Sequence, residues 1–134
     1  MERYPYSDSR RVLVVDDDPE TRRFLTTVLV EQGHDVREAG NGVDALTIAL
    51  SWRPDLILLD LLMPAMNGWQ FADAYQSLPL RRAPIVAITA AGKPAIESAQ
   101  ALPHVAAVLS KPVQLNELLS FVDLALTFGA AEAA

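Results

Sequence analysis

Short apolar segments alternate with longer segments of helical spacing along the chain. The apolar segments, of which the second is the weakest, span residues 12–15, 34–39, 56–59, 85–88 and 105–109. Segments with helical spacing of apolar positions follow them at residues 19–32, 43–52, 68–78, 94–102 and 114–128. Parallel strands need crossover connections, and the helices in those connections cover both faces of a sheet. The alternation therefore predicts a doubly wound α/β domain with a five-stranded parallel sheet and five helices.

Side chains that carry chemistry stand where the predicted strands end. Ligands of open α/β sheets bind beyond the carboxyl ends of the strands. The residues at those ends are Asp16, Asp17 and Asp18 after the first strand, Asp60 after the third, Thr89 after the fourth and Lys111 after the fifth. They define the candidate site, although Asp18 before Pro19 also has the sequence of a helix N-cap.

This set of residues favours a metal-assisted reaction of a phosphoryl group. Carboxylates at one edge of a sheet repel one another unless protons or a cation offset their charge. Oxygen ligands of this type favour Mg²⁺, which commonly shares a carboxylate or two with a substrate phosphate. The Lys111 ammonium and the Thr89 hydroxyl can hold phosphoryl oxygens in line with an attacking carboxylate. Asp60 is the best-placed nucleophile because it ends the central apolar strand.

Composition narrows the class of protein. The chain has 134 residues and no cysteine, which excludes a disulfide framework, thiolate catalysis and cysteine-ligated metal. Its 17 acidic and 11 basic residues give a net charge of −6, so we expect no direct binding of nucleic acid. The N-terminus lacks the apolar run of a secretory signal, and Asp60, Pro64 and Asn67 interrupt the longest apolar stretch. We therefore expect a cytoplasmic protein without a membrane span.

Four segments carry a resemblance to a known family: VLVVDDDPE (12–20), LILLDLLMPAMNG (56–68), IVAITA (85–90) and SKP (110–112). With them the chain resembles the receiver domain of bacterial two-component response regulators over about residues 11–128. Residues 1–10 would then be an N-terminal extension, and residues 129–134 a C-terminal tail. The resemblance implies a flavodoxin-like fold with strand order 2-1-3-4-5, and a signalling module rather than an enzyme.

The resemblance also implies a role for each acidic residue of the site. Asp60 would be the phosphoacceptor and would receive its phosphate from a histidine kinase or a histidine phosphotransferase. Asp16 and Asp17, with Asp60 and the backbone carbonyl of Leu62, would bind Mg²⁺.

Two further positions match the family, and one departs from it. Thr89 would turn its hydroxyl onto the phosphoryl group, and Lys111 would pair with that group. The Lys111–Pro112 bond would be cis. Most receivers have an aromatic residue three positions before the lysine that swings inward on phosphorylation, and here that residue is Val108. Valine is small and stiff, so we expect backbone movement of residues 90–94 to replace the side-chain switch, or the switch to be weakened.

The lifetime of the phosphorylated state depends on residues beside the hydrolytic water. Those positions lie two residues after the phosphoacceptor and the threonine, and here they are Leu62 and Ala91. Neither side chain can form a hydrogen bond to water. We therefore expect slow hydrolysis of the phosphoryl group on Asp60.

The last helix carries apolar residues on two sides. The set expected to face the sheet is Leu115, Leu118, Leu119, Val122 and Leu126. Phe121, Leu124 and Phe128 lie nearly opposite and would be exposed, which favours a homodimer or an output partner at this helix. In contrast, Arg22 and Arg23 are expected on an exposed face of the first helix.

Three alternative functions fit parts of the sequence. A haloacid-dehalogenase-like phosphatase would use Asp16 as nucleophile and Asp18 as acid/base, but nothing after Lys111 supplies the further acidic pair that such enzymes need for magnesium. A nucleotide-binding flavodoxin-like protein is discarded because three aspartates would repel a phosphate that lacks a metal. A receiver that is never phosphorylated and serves only for docking ranks below the phosphorylated form.

Overall fold

The structure, a computed structural model, describes the backbone of residues 9–133 and the side chains of residues 9–127. In that range strands and helices alternate as β1 (Arg11–Val15), α1 (Pro19–Glu31), β2 (Asp35–Ala39), α2 (Gly42–Trp52), β3 (Leu56–Asp60), α3 (Gly68–Gln76), β4 (Ile85–Thr89), α4 (Lys93–Gln100), β5 (Val105–Ser110) and α5 (Leu115–Ala133). The predicted alternation is confirmed. Most of the expected N-terminal extension, residues 1–8, lies outside the described residues.

The five strands form one parallel sheet in the order β2-β1-β3-β4-β5. This is the order that the family resemblance implies. All residues of β3 and β4 are buried, whereas Ala39 is the buried residue of the edge strand β2. The apolar signal of residues 34–39 is weak because this strand is covered least.

The strands direct alternate side chains to the two faces of the sheet. One face packs against α2, α3 and α4, and its strand residues include Leu13, Val15, Ile57, Leu59, Ile85 and Ala87. The other face packs against α1 and α5, and its strand residues include Val12, Val14, Leu56, Leu58, Val86 and Ile88. A one-residue slip would exchange the two sets, so burial on both faces specifies the register. The register in turn aligns the residues at the strand ends.

The ends of the helices follow the sequence in α1 and depart from it in α5. Asp18 caps α1 by accepting a hydrogen bond from the backbone N–H of Thr21, and Pro19 is the first helical residue, as predicted. The helix α5 continues to Ala133, beyond the predicted end at residue 128. Its last turns are rich in alanine, whose helix propensity outweighs the single Gly129. No helix in the described range is both long and apolar enough to cross a membrane.

The buried face of α5 corrects part of the sequence prediction. Its fully packed residues are Leu118, Val122, Ala125 and Leu126. Leu115 was expected on this face but is 51% exposed, because it is the first residue of the helix, one turn before Leu118. Phe121 was expected to be exposed but packs partly against the core, since at 100° per residue it flanks the buried face. Leu124 is exposed as predicted, and the side chain of Phe128 lies outside the described residues.

Candidate functional site

The residues predicted for the site lie together at the carboxyl edge of the sheet. Asp16 directly follows β1, Asp60 is the last residue of β3, Thr89 is the last residue of β4, and Lys111 follows β5. The side chains of Asp16, Asp60 and Thr89 are buried, whereas Asp17 is exposed. The adjacency of β1, β3 and β4 therefore places two buried carboxylates and a buried hydroxyl side by side.

One lysine bridges the two buried carboxylates. Lys111 Nζ lies 3.1 Å from Asp16 Oδ2 and 3.5 Å from Asp60 Oδ2. A carboxylate oxygen from each of Asp16, Asp17 and Asp60 can be chosen so that all three lie within 4.8 Å of one another. The ammonium group of Lys111 contacts two of the three carboxylates, so the fully ionised cluster carries excess negative charge.

Backbone N–H groups hold the second oxygen of each buried carboxylate. The Asp18 N–H donates to Asp16 Oδ1 over 2.9 Å, and the Leu62 N–H donates to Asp60 Oδ1 over 3.1 Å. In the loop after Asp60, the backbone of Gly68 packs against the backbone of Leu61, and a Cβ on Gly68 would lie only 2.7 Å from Leu61 Cα. Glycine is required at this approach. Both carboxylates are therefore fixed by loops that start at the strand ends.

Burial and charge shift the protonation of the cluster. Burial, followed by the neighbouring charge of Asp16, raises the pKa of Asp60 to about 6, although the Leu62 N–H and Lys111 act to lower it. Burial alone would lower the pKa of Lys111, but the carboxylates of Asp16 and Asp60 outweigh it and raise that pKa. Lys111 therefore stays charged, while Asp60 ionises reluctantly until further positive charge arrives.

The donor set of the cluster fits Mg²⁺. Its side-chain ligands are oxygen atoms, which hard divalent cations prefer. Asp16 Oδ2 is buried and accepts no hydrogen bond of good geometry from the described residues, and its charged neighbour is Lys111. A divalent ion would give this oxygen a second positive partner beside Lys111 and offset the repulsion among the three carboxylates.

The remaining predicted positions border the cluster. Thr89 Oγ1 accepts a hydrogen bond from the Ala91 N–H over 3.0 Å, and the Lys111 N–H donates to the Thr89 carbonyl over 2.9 Å. Leu62 is half exposed, and Val108 is half-buried against the core on the α2–α4 face of the sheet. The Lys111–Pro112 peptide bond is cis, as predicted.

Asp18 acts as the helix cap that its position before Pro19 indicates, whereas Arg22 makes a contact that the sequence did not predict. Asp18 is exposed and accepts a hydrogen bond from the Thr21 hydroxyl over 2.6 Å, which lowers the pKa of Asp18. It serves as a helix cap and is not part of the acidic cluster. Arg22 was expected on an exposed face with Arg23, but its guanidinium is folded back onto the backbone carbonyl of Asp16. Spacing along α1 gave no signal for this contact.

Comparison with known proteins identifies the family. Residues 12–123 match the family model described as the response regulator receiver domain. The DNA-binding response regulator MtrA of Mycolicibacterium smegmatis is 52% identical over 59 residues, which cover 44% of this chain and 26% of MtrA. The transcriptional regulatory protein PdtaR of Mycobacterium tuberculosis is 33% identical over 120 residues, which cover 88% of this chain and 57% of PdtaR. The chain thus spans less than two thirds of the length of either relative.

A solved structure agrees with the family match. The chemotaxis response regulator CheY4 of Vibrio cholerae superimposes with a TM-score of 0.80 at 28% identity, covering 88% of this chain and 99% of CheY4. The chain therefore belongs to the response regulator receiver domain family of two-component signalling. This family is a signalling module rather than an enzyme family, and its members bind Mg²⁺ at an acidic site.

The raised pKa of Asp60 predicts a pH-dependent stability difference for Asp60→Asn. When a carboxyl has a higher pKa in the folded than in the unfolded chain, its ionisation destabilises the folded protein. The free energy of unfolding should therefore fall as the pH rises from 3.8, the ordinary pKa, through about 6, the pKa of Asp60 in the folded protein. Without divalent ions, the neutral amide should therefore raise the free energy of unfolding by about 1–3 kcal/mol at pH 8 and by little at pH 4. Urea unfolding at both pH values measures this difference.

The matched control is Asp73→Asn, which removes the same formal charge at an exposed position of α3. It should change the stability little at either pH. An Asp60→Asn effect of equal size at pH 4 and pH 8 would contradict the electrostatic origin.

Proposed function

We propose that this chain is a phosphorylatable receiver in which Asp60 accepts a phosphoryl group and Asp16 and Asp17 help to bind the Mg²⁺ that the reaction needs. The backbone carbonyl of Leu62 and the Asp60 carboxylate would complete the protein ligands. The observation that carries the proposal is the buried Asp60 carboxylate, which shares Lys111 with Asp16 and lies among oxygen donors suited to a divalent ion.

The chain's own groups account for the chemistry of transfer. Asp60 Oδ1 accepts a hydrogen bond from the Leu62 N–H over 3.1 Å, whereas Oδ2 lies 3.5 Å from Lys111 Nζ, so we take Oδ2 as the oxygen that attacks phosphorus. A new bond forms between this oxygen and phosphorus while the bond from phosphorus to the donor breaks, and the leaving group takes the electron pair. Lys111 is placed to bind a phosphoryl oxygen, and Thr89 can offer its hydroxyl to another. When bound, Mg²⁺ supplies positive charge against the developing negative charge.

The donor would be a histidine kinase or a histidine phosphotransferase, as for other receivers. An open groove of about 550 Å³ borders the site between α1 and the segment after β5, and its lining includes Thr21, Phe24, Lys111 and Val113. Lys111 belongs to both the groove and the acidic cluster. A donor protein seated in this groove would contact Lys111, which lies 3.5 Å from the phosphoryl-accepting carboxylate, and we expect this exchange to take place in the cytoplasm.

The output of the switch would pass through α5 to a second copy or another protein. Leu124 is 54% exposed on this helix, and Phe121 lies half-buried beside it. We retain residues 11–128 as the bounds of the switching unit. Neither nucleic acid nor membrane is an expected direct ligand of this unit.

The direct test is phosphorylation by a small phosphodonor such as acetyl phosphate. Intact-mass measurement after incubation with Mg²⁺ should show the addition of one phosphoryl group to the wild-type chain. Asp60→Ala should show none, and chelation of Mg²⁺ should suppress the reaction.

A mass increase that persists in Asp60→Ala would contradict the assignment of the phosphoacceptor. Absence of any increase in the wild type with several donors would favour the docking-only alternative. Hydrolysis of a phosphate ester that depends on Asp16 but not on Asp60 would instead restore the phosphatase alternative, which the capping role of Asp18 disfavours.

A second prediction concerns the lifetime of the phosphorylated chain. Leu62 and Ala91 offer no hydrogen bond to a hydrolytic water, so Leu62→Asn and Ala91→Glu should each accelerate loss of phosphate. An acceleration of roughly tenfold corresponds to about 1.4 kcal/mol on the barrier. The time course of the phosphorylated mass after removal of the donor measures it. Unchanged lifetimes in both variants would count against the proposal.

A third prediction concerns the conformational switch. Val108 packs half-buried against the core and cannot exchange an exposed aromatic ring for a buried one. Phosphorylation should therefore move the backbone of residues 90–94, which follows Thr89. Amide chemical shifts before and after phosphorylation should change most in that segment. Changes confined to a reoriented Val108 side chain would overturn this prediction.

A further inference from the structure

Arg22 links three parts of the structure next to the acidic cluster. From the second turn of α1, its Nη1 donates to the backbone carbonyl of Asp16 over 2.7 Å. Its Nε donates to Glu38 Oε1 on β2 over 2.9 Å. The Arg22 side chain is 23% exposed, and Gly40, the glycine after β2, leaves room for its guanidinium, because a Cβ there would lie 3.3 Å from Nη1.

The carbonyl that accepts the hydrogen bond from Arg22 lies between two residues of the acidic cluster. Asp16 is fully buried, and its N–H makes the last sheet hydrogen bond of β1, to the Ala39 carbonyl. The strand β2 ends at Ala39, and the donor to the Asp16 carbonyl is the side chain of Arg22. This carbonyl belongs to the peptide unit between Asp16 and Asp17. Its orientation therefore fixes how the two carboxylates converge.

We infer that Arg22, anchored by Glu38, is a positioning residue for divalent-ion binding by the acidic cluster. It acts through the Asp16–Asp17 peptide and touches no reacting group. The inference rests on the proposed function, because it assumes that this cluster binds Mg²⁺. Partners that orient metal ligands typically change metal affinity by about 10–100-fold when removed.

Charge alone predicts the opposite effect. Arg22 brings a positive charge close to the cluster, so its removal would favour a divalent cation if only long-range electrostatics mattered. A positioning role predicts weaker binding after the same change. The sign of the change in Mg²⁺ affinity therefore separates the two roles.

The experiment compares Mg²⁺ binding to the wild type and four variants by isothermal titration calorimetry at a temperature where all are folded. Arg22→Gln should raise the Kd for Mg²⁺ about tenfold or more. Arg22→Lys keeps the charge but loses the planar guanidinium, which donates to Glu38 and to the Asp16 carbonyl at once, and it should also weaken Mg²⁺ binding. Arg23→Gln is the matched control, because Arg23 is the exposed neighbour with the same charge, and its Kd should stay within about twofold of the wild type.

A readout without metal tests the positioning directly. The Asp18 N–H donates to Asp16 Oδ1, so hydrogen exchange at the Asp18 amide reports whether the Asp16 carboxylate keeps its place. Exchange should accelerate in Arg22→Gln and stay unchanged in Arg23→Gln. Glu38→Ala removes the anchor of Arg22 and should accelerate exchange at the Asp18 amide by a smaller amount. Because loss of the Glu38 charge alone would also weaken Mg²⁺ binding, Arg22→Lys, which keeps the charge, carries the affinity test if Arg22→Gln does not fold.

The outcomes are distinguishable. A wild type that binds Mg²⁺ together with an Arg22→Gln Kd that is unchanged or lower overturns the positioning role and leaves the proposed function standing. Reduced thermal stability without a change in Kd has the same meaning, because it shows a purely structural role. A wild type that binds no Mg²⁺ overturns the proposed function and this inference together.

Discussion

The bridge from Lys111 to Asp16 and Asp60 is the interaction on which the site depends. It joins the carboxyl ends of β1, β3 and β5 through one ammonium group. A buried carboxylate without a partner is strongly unfavourable, and a second one beside it adds repulsion. The lysine makes the pair tolerable without neutralising it. The cluster is left with an unmet demand for positive charge, which a divalent ion would meet.

The fold keeps these groups at fixed separations. The central strands β3 and β4 are buried along their whole length, and helices cover the sheet on both faces. Such packing resists gradual deformation. Exposed residues begin close to the strand ends: Ala90 directly follows Thr89, and Leu62 lies two residues after Asp60. A change of charge at Asp60 is therefore expected to be expressed in the loops and helices rather than in the sheet.

The sequence was sufficient to predict the sheet and most of the site. Apolar runs followed by Asp16, Asp60 and Thr89 locate the strand ends, and parallel strands bring such ends to one edge. The sequence did not reveal the position of the Arg22 side chain. Its partner Glu38 is sixteen residues away along the chain, and their contact depends on β1 and β2 being neighbours in the sheet. The rotation of α5 was also missed in part.

The error in α5 has a simple physical origin. The prediction counted large apolar side chains, whereas the small Ala125 is also fully buried and extends the buried face on the side of Phe121. Leu115 has the right angular position, but it lies in the first turn, where the helix begins after the loop that follows β5. Periodicity gives the angle of a residue around a helix. It does not give the depth of that residue along the packed interface.

The acidic cluster is expected to hold its negative charge reluctantly and to give up a proton when a divalent ion binds. Calorimetric titration with Mg²⁺ in buffers of different ionisation enthalpy measures the protons released per ion bound. At pH 6, where burial and Asp16 place the pKa of Asp60, about half a proton should be released, and almost none at pH 8. Absence of Mg²⁺ binding, or proton release that is equal at the two pH values, would contradict the account.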